Sequence, residues 1–267
     1  MKFLYYPGCS MEGTARPYGE TIPAAAAALG LNLLPMTGWT CCGASSAHAL
    51  APAQARELAR LPLTNGPRPL PVLTACAACY HNLIFAFHSA ADETLSRPEH
   101  MLFQAAASGA IAALKKAVTV NIPLRIAPYY GCLLTKPGSL TGHPDPEAPR
   151  ELQTILTAVG AAPVEWSFST DCCGAAQALL RPETGERLTG RLLAMAQAAG
   201  AEALVTACPM CQQNLETVQF RRQESALPVF YFTELICLAI GASSANAALA
   251  KHLIDPRPLL RLRGVSI

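Results

Sequence analysis

Ten of the eleven cysteines fall into two sets of five that run in the same order along the chain. The first set is Cys9, Cys41-Cys42-Gly43 and Cys76-Ala77-Ala78-Cys79. The second is Cys132, Cys172-Cys173-Gly174 and Cys208-Pro209-Met210-Cys211. Cys237 stands outside both. Thiolates are soft donors, and groups of them at such spacings point to zinc or iron–sulfur chemistry. A tetrahedral zinc or an ordinary cubane cluster uses four cysteines, so each set carries one thiolate more than either needs.

The elements that position these cysteines form a repeat. Tyr6-Pro7-Gly8-Cys9 echoes Tyr129-Tyr130-Gly131-Cys132, and Cys41-Cys42-Gly43-Ala44 echoes Cys172-Cys173-Gly174-Ala175. The fullest match sets Leu73-Thr74-Ala75-Cys76 and Cys79-Tyr80-His81-Asn82-Leu83 against Val205-Thr206-Ala207-Cys208 and Cys211-Gln212-Gln213-Asn214-Leu215. Duplication of one small domain is the simplest source, with halves at 1–121 and 122–267. In each half a strand (3–6; 125–130) runs into a Gly-Cys turn. A helix follows: 21–29, with Pro23 near its start and Gly30 at its end, or 149–159, closed by Gly160. A second strand (31–34; 163–168) leads to Cys-Cys-Gly, then another helix, clearest at 185–199. A third strand (71–75; 203–207) feeds the Cys-x-x-Cys and a last helix. Strand–helix alternation predicts an α/β fold of two similar halves, each a small, mostly parallel sheet flanked by helices and related by a pseudo-two-fold. The cysteines then lie at the carboxyl ends of the strands, where open parallel sheets bind ligands. A Cys-x-x-Cys at a helix start also meets free N–H groups that favour thiolate. Residues 84–120 read as an Ala-rich, mostly helical bridge between the halves, and 136–149 as a Pro- and Gly-rich loop.

Bulk properties narrow the function. Half of the residues are hydrophobic and the net charge is +2 with no basic block, which argues against nucleic-acid binding. The apolar run 229–241 is too short to span a bilayer and carries Glu234. The start, Met1 to Cys9, reads as a strand entering a turn and lacks the apolar core of an export signal. The expected location is therefore the cytoplasm, where thiols stay reduced and paired cysteines act as ligands rather than disulfides. No Gly-x-Gly-x-x-Gly fingerprint, phosphate loop or Ser-His-Asp spacing is present.

The cysteine order resembles the CCG domain, and two copies in tandem resemble the B subunit of heterodisulfide reductase and its relatives, including the heterodisulfide-reductase-like subunits of sulfur oxidisers. The likeness covers essentially the whole chain. It takes in Tyr129-Tyr130-Gly131-Cys132-Leu133-Leu134, Asp145-Pro146-Glu147 and Tyr231-Phe232-Thr233-Glu234-Leu235. The resemblance implies two noncubane [4Fe–4S] clusters. Cys9, Cys41, Cys42, Cys76 and Cys79 would hold one, and Cys132, Cys172, Cys173, Cys208 and Cys211 the other. It further implies an oxidoreductase component that cleaves or forms a disulfide between the clusters by paired one-electron steps. Its partners would be an iron–sulfur protein resembling the C subunit of heterodisulfide reductase and, through it, a flavoprotein resembling the A subunit. Within the family a second task is electron transfer between a dehydrogenase and a quinone. A structural protein with zinc in its sites, or one cluster plus zinc, is the reading from a different class.

Other residues carry less. Cys237 reads as a small buried thiol. His81 follows Cys79, but its repeat partner is Gln213, which weakens a ligand role. His143 reads as a solvated loop histidine rather than a proton donor. Lys136 and Arg16 lie near first-motif cysteines and are candidates to offset cluster charge or bind an anionic substrate.

Overall fold

The computed structural model describes residues 1–44, 47–64, 70–90, 92, 94–178, 180–223 and 226–267, without the side chains of His48 and Ala49. Each half builds one four-stranded, all-parallel sheet. In the first, β1 (Lys2–Tyr5), β2 (Asn32–Pro35), β3 (Val72–Thr74) and β4 (Pro98–His100) lie in the order β2-β1-β3-β4. In the second, β5 (Arg125–Tyr129), β6 (Ala162–Pro163), β7 (Ala203–Thr206) and β8 (Val229–Tyr231) lie in the order β6-β5-β7-β8. The inner strands β3 and β7 are buried at every residue, as expected of parallel strands covered on both faces. The predicted α/β architecture, with its duplicated parallel sheets, is what forms.

Two local expectations change. The helix foreseen at 21–29 runs from Arg16 to Ala28, with Pro17 in its first turn and Pro23 inside it rather than near its start. The missing N–H of Pro23 removes one helical bond, and the burial of Tyr18, Thr21, Ile22, Ala25 and Ala26 outweighs that loss. The strand foreseen at 163–168 shrinks to Ala162–Pro163. Val164 still donates to the Ile126 carbonyl at 2.9 Å, but the next donor in the ladder would be Pro128, which has no N–H. The Trp166 indole donates to the Pro128 carbonyl at 2.8 Å instead. The bridge at 84–120, of which residues 91 and 93 lie outside the described residues, is mostly helical, as expected, and also supplies the edge strand β4.

The halves are packed through their helices. Helix Arg16–Ala28 lies on helix Phe232–Ala239, which is buried at all of its residues. Thr21 and Thr233 hydroxyls meet at 2.7 Å, and the Tyr18 and Tyr231 rings stack with centroids 3.9 Å apart. Helix Ser108–Ala117 packs against both Arg16–Ala28 and Glu151–Ala158, and so joins the halves.

Candidate metal centre

Each half frames its cysteines with the same three devices. First, a tyrosine at the end of the strand entering the Gly-Cys turn (Tyr129) or just past it (Tyr6) braces the Cys-Cys-Gly loop. Tyr6 donates to the Thr40 carbonyl, just before Cys41, and Tyr129 to the Asp171 carbonyl, just before Cys172, both at 2.8 Å. Second, the asparagine three residues after each Cys-x-x-Cys ties down the same loop from the other side. Asn82 donates to the Cys42 carbonyl and Asn214 to the Cys173 carbonyl, both at 2.9 Å. Third, Gly8 and Gly131 adopt φ of +72° and +71°, and a Cβ on either would lie 3.1 Å from the sulfur of Cys79 or Cys211. Only glycine accepts both the left-handed backbone and the close approach of that sulfur.

The Cys-x-x-Cys segments start helices, as anticipated. Cys76 caps Ala77–Ser89, its sulfur accepting from the Cys79 amide at 3.5 Å, and Cys208 caps Pro209–Arg222. The amides of Gly43 and Gly174 point at the sulfurs of Cys41 and Cys172, at 3.4 and 3.3 Å. Within the sets, Cys41 lies 4.0 Å from Cys9, Cys42 3.2 Å from Cys79 and Cys173 3.6 Å from Cys211, sulfur to sulfur. All ten cysteines picked out in the sequence are free thiols.

The two sets meet. The Cys76 and Cys208 side chains interact across the seam between the halves. They stand between two buried pairs at sulfur–sulfur contact, Cys42 with Cys79 and Cys173 with Cys211, and each acts on the second cysteine of its own Cys-x-x-Cys. Cys9, Cys41 and Cys172 face solvent, and Cys132 is half-buried. Crowded thiols divide their protons unequally. Hydrogen bonds from Cys41 and then Cys79 hold Cys42 low, and Cys132 holds Cys172 down to about 6. Cys211 and then Cys76 hold Cys208 well below the usual thiol range. Cys79 and Cys211 are pushed up, first by Cys42 and Cys173 respectively.

Buried polar atoms beside the sets test whether a bulky anionic group fits. Four have no hydrogen-bond partner: Tyr5 OH, Thr40 Oγ1, His100 Nε2 and Thr206 Oγ1. Thr40 precedes Cys41 and Thr206 stands two residues before Cys208. Tyr5 lies within electrostatic reach of Cys76 and Cys79, and His100 within reach of Cys208. Each such orphan costs about 1–3 kcal/mol, and all four can donate. A group bringing sulfur acceptors would satisfy them, so the residues present fit an iron–sulfur cluster. No three His, Cys, Asp or Glu among the described residues close around a single-ion position.

The remaining candidates lie elsewhere. Cys237 is buried, as anticipated, and its thiol donates to the Thr21 carbonyl at 3.3 Å. His143 is not a solvated histidine: its side chain is 6% exposed and its Nε2 meets Glu151 at 2.8 Å, because the 136–149 loop folds back on itself through Thr135 and Thr141. Lys136 pairs with Glu147 at 2.6 Å and Arg16 with Glu20 at 3.5 Å. Sequence reasoning missed the bracing roles of Tyr6, Tyr129, Asn82 and Asn214, although identity between the repeats marked all four. It also missed His100, whose counterpart differs.

Comparison with known proteins agrees with this geometry. The chain is 29% identical to the 8-methylmenaquinol:fumarate reductase membrane anchor subunit of Wolinella succinogenes, over 97% of this chain and 99% of that one. It is 29% identical to the B subunit of the ferredoxin/F(420)H(2)-dependent CoB-CoM heterodisulfide reductase of Methanosarcina acetivorans. That match covers 53% of this chain and 50% of the relative. The B subunit of the ferredoxin:CoB-CoM heterodisulfide reductase of Methanosarcina mazei is 28% identical over the same shares. These matches thus take in about half of each heterodisulfide reductase protein and about half of this chain. A hypothetical protein from Helicobacter pylori shares the fold, with a TM-score of 0.65 at 9% identity, over 94% of this chain and 51% of that one. The cysteine-rich domain, CCG, matches twice, at residues 3–84 and 126–216, which takes in all ten framed cysteines and places the chain in that family.

Proposed function

We propose that the protein is the iron–sulfur component of a heterodisulfide-reductase-like oxidoreductase. In this reading Cys9, Cys41, Cys42, Cys76 and Cys79 hold one noncubane [4Fe–4S] cluster, and Cys132, Cys172, Cys173, Cys208 and Cys211 hold a second. The observation that carries it is the meeting of the sets: five-thiolate sites abut through Cys76 and Cys208, with a buried sulfur pair on either side. When bound, the clusters supply electrons singly from two adjacent points. Reduction of a disulfide takes two electrons and two protons and gives two thiols, so paired sites match its stoichiometry.

The chain's own residues prepare the site. Tyr6, Tyr129, Asn82 and Asn214 fix the Cys-Cys-Gly loops, so the thiolates stay in place as charge changes. The buried inner cysteines exclude water, while Cys9, Cys41 and Cys172 form a face open to a disulfide, a thiol or a partner. Electrons would come from an iron–sulfur protein resembling the C subunit of heterodisulfide reductase, itself fed by a flavoprotein resembling the A subunit. No helix of the described residues is long and apolar enough to cross a membrane.

A second reading has its own support. The Wolinella relative, aligned end to end, belongs to a menaquinol:fumarate reductase, which favours electron transfer between a dehydrogenase and a quinone. One experiment separates the two. Anaerobically purified protein, reduced with dithionite and freed of excess, is mixed with a mixed thiol disulfide or with a water-soluble naphthoquinone. Reoxidation by the disulfide, with two thiols released per two electrons, supports disulfide chemistry. Reoxidation by the quinone alone moves the protein to the second reading. Zinc sites without redox activity would react with neither.

A further inference from the structure

His100 ends the edge strand β4, a segment with no cysteine of its own. It is fully buried, and its Nδ1 accepts the Leu102 amide at 3.2 Å as the cap of helix Met101–Ala105. A ring nitrogen that accepts carries no proton, so the proton of the neutral ring sits on Nε2. Burial, which pulls the ring down to about 4, agrees with the neutral form. The Nε2–H therefore points away from its own helix, and it has no partner. The groups that act on this side of the ring are Cys208 and the carbonyls of Ala75 and Ala207, the residues that precede Cys76 and Cys208 at the seam. The Ala75 and Ala207 carbonyls are near enough to act on the ring, but neither lies at hydrogen-bonding distance and angle to Nε2, so this donor at the seam has no protein acceptor.

The pseudo-two-fold shows that this is not required by the fold. His100 pairs in register with Thr74, and Tyr231 pairs in register with Thr206, so the two occupy equivalent positions. Tyr231 also starts a helix and also lies within reach of Cys76 and Cys208. Its hydroxyl, however, is spent on Gln212 at 3.1 Å and its ring on Tyr18. One of two equivalent positions keeps a free buried donor, and the other does not.

We propose that His100, supplied by the first half, is a positioning residue for the second site: its Nε2–H donates to a sulfur on the Cys208 side of the bound cluster. This deepens the cluster reading given above and rests on it. Hydrogen bonds to cluster sulfurs favour the more negative, reduced state and raise the potential. The device makes two otherwise matching sites unequal.

The test uses the full chain with its clusters. His100→Asn keeps a good helix cap but is too short to reach the seam, whereas His100→Gln keeps a longer donor. In redox titrations followed by EPR, one of the two centres in the Asn variant should fall in potential. The expected shift is about tenfold in its oxidised-to-reduced ratio, ~59 mV for one electron. Iron and sulfide content should stay at wild-type level, and the Gln variant should recover part of the shift. A wild-type potential at both centres in the Asn variant would mean that His100 is a helix cap only, and would overturn the proposal. Pulsed EPR on wild-type protein with 15N-histidine gives a readout that needs no variant to fold. A weakly coupled imidazole nitrogen is expected, and its absence overturns the proposal equally. Wild-type protein without iron would defeat the cluster reading itself, a distinct result.

Discussion

The two halves share one frame and differ in how tightly it is closed. In the first, Asn82 ties the Cys42 carbonyl, and Cys9 and Cys41 are exposed. In the second, Asn214 bonds both the Cys173 carbonyl and the Thr189 hydroxyl, which itself donates to that carbonyl, and Cys132 is half-buried. The second half also carries a buried ion cluster: His252 lies 2.7 Å from Glu216 and 2.8 Å from Glu234, all three side chains at most 2% exposed. Gln212 links this cluster to the Tyr231 hydroxyl. Duplication therefore preserved the residues that hold the cysteines and let their surroundings diverge, toward an open first site and a locked second one.

The strongest way to break the equivalence of the sites is to remove one ligand from each. Cys42→Ser and Cys173→Ser should each lose about half of the iron and at least about a hundredfold in electron-transfer activity. Both effects are read by metal analysis and anaerobic assay. Full activity in either variant would end the two-site reading.

His252 sharpens the contrast through stability. Burial alone would lower its pKa, but the charges and hydrogen bonds of Glu234 and Glu216 raise it to about 10. A group whose folded pKa is raised stabilises below its unfolded value, near 6.5, and loses that contribution as pH climbs through the folded value. His252→Ala should cost about 3–5 kcal/mol at pH 6, because it strands two buried carboxylates. In urea unfolding the gap to wild type should narrow steadily toward pH 10. A gap independent of pH would show that His252 acts by packing alone.

Glycine substitutions should discriminate next. At Gly174 (φ +86°) a Cβ would lie 2.8 Å from the Gly185 backbone, whereas at Gly43 (φ +70°) its nearest neighbour is the Ala47 Cβ at 3.4 Å. Gly174→Ala should cost about 2–4 kcal/mol, adding backbone overlap to left-handed strain. Gly43→Ala should cost only about 1–2 kcal/mol for the strain. Smallest is the asparagine pair. Asn214→Ala should cost about 2 kcal/mol for two lost bonds, the Thr189 hydroxyl and the Cys173 carbonyl keeping their bond to each other, and Asn82→Ala about 1 for one. Equal losses in thermal unfolding would show that the frames are equally tight.

Much of this was legible in the sequence because the repeat displays it twice. The Gly-Cys turns, the Cys-Cys-Gly loops and the Cys-x-x-Cys helix starts all fall after strands, as their spacing predicted. What was not legible depends on tertiary contact. β4 is three residues long and begins with Pro98, too short a signal to separate from the helices around it. β6 stops early because of Pro128, a residue on the neighbouring strand rather than its own. His143 sits in a Pro-rich segment that reads as solvated, yet Glu151 and the folded loop bury its side chain. His100 gave no repeat signal because its counterpart is a tyrosine. The abutting of Cys76 and Cys208 follows from how the halves pack, which no local pattern encodes.

Whether ten cysteines hold two clusters is settled by measuring iron, acid-labile sulfide and zinc on protein purified without exposure to air. Two four-iron clusters predict about 8 iron and 8 sulfide per chain, with no stoichiometric zinc. Zinc alone, in protein never exposed to oxygen, would contradict the paired-cluster reading and make the sites structural.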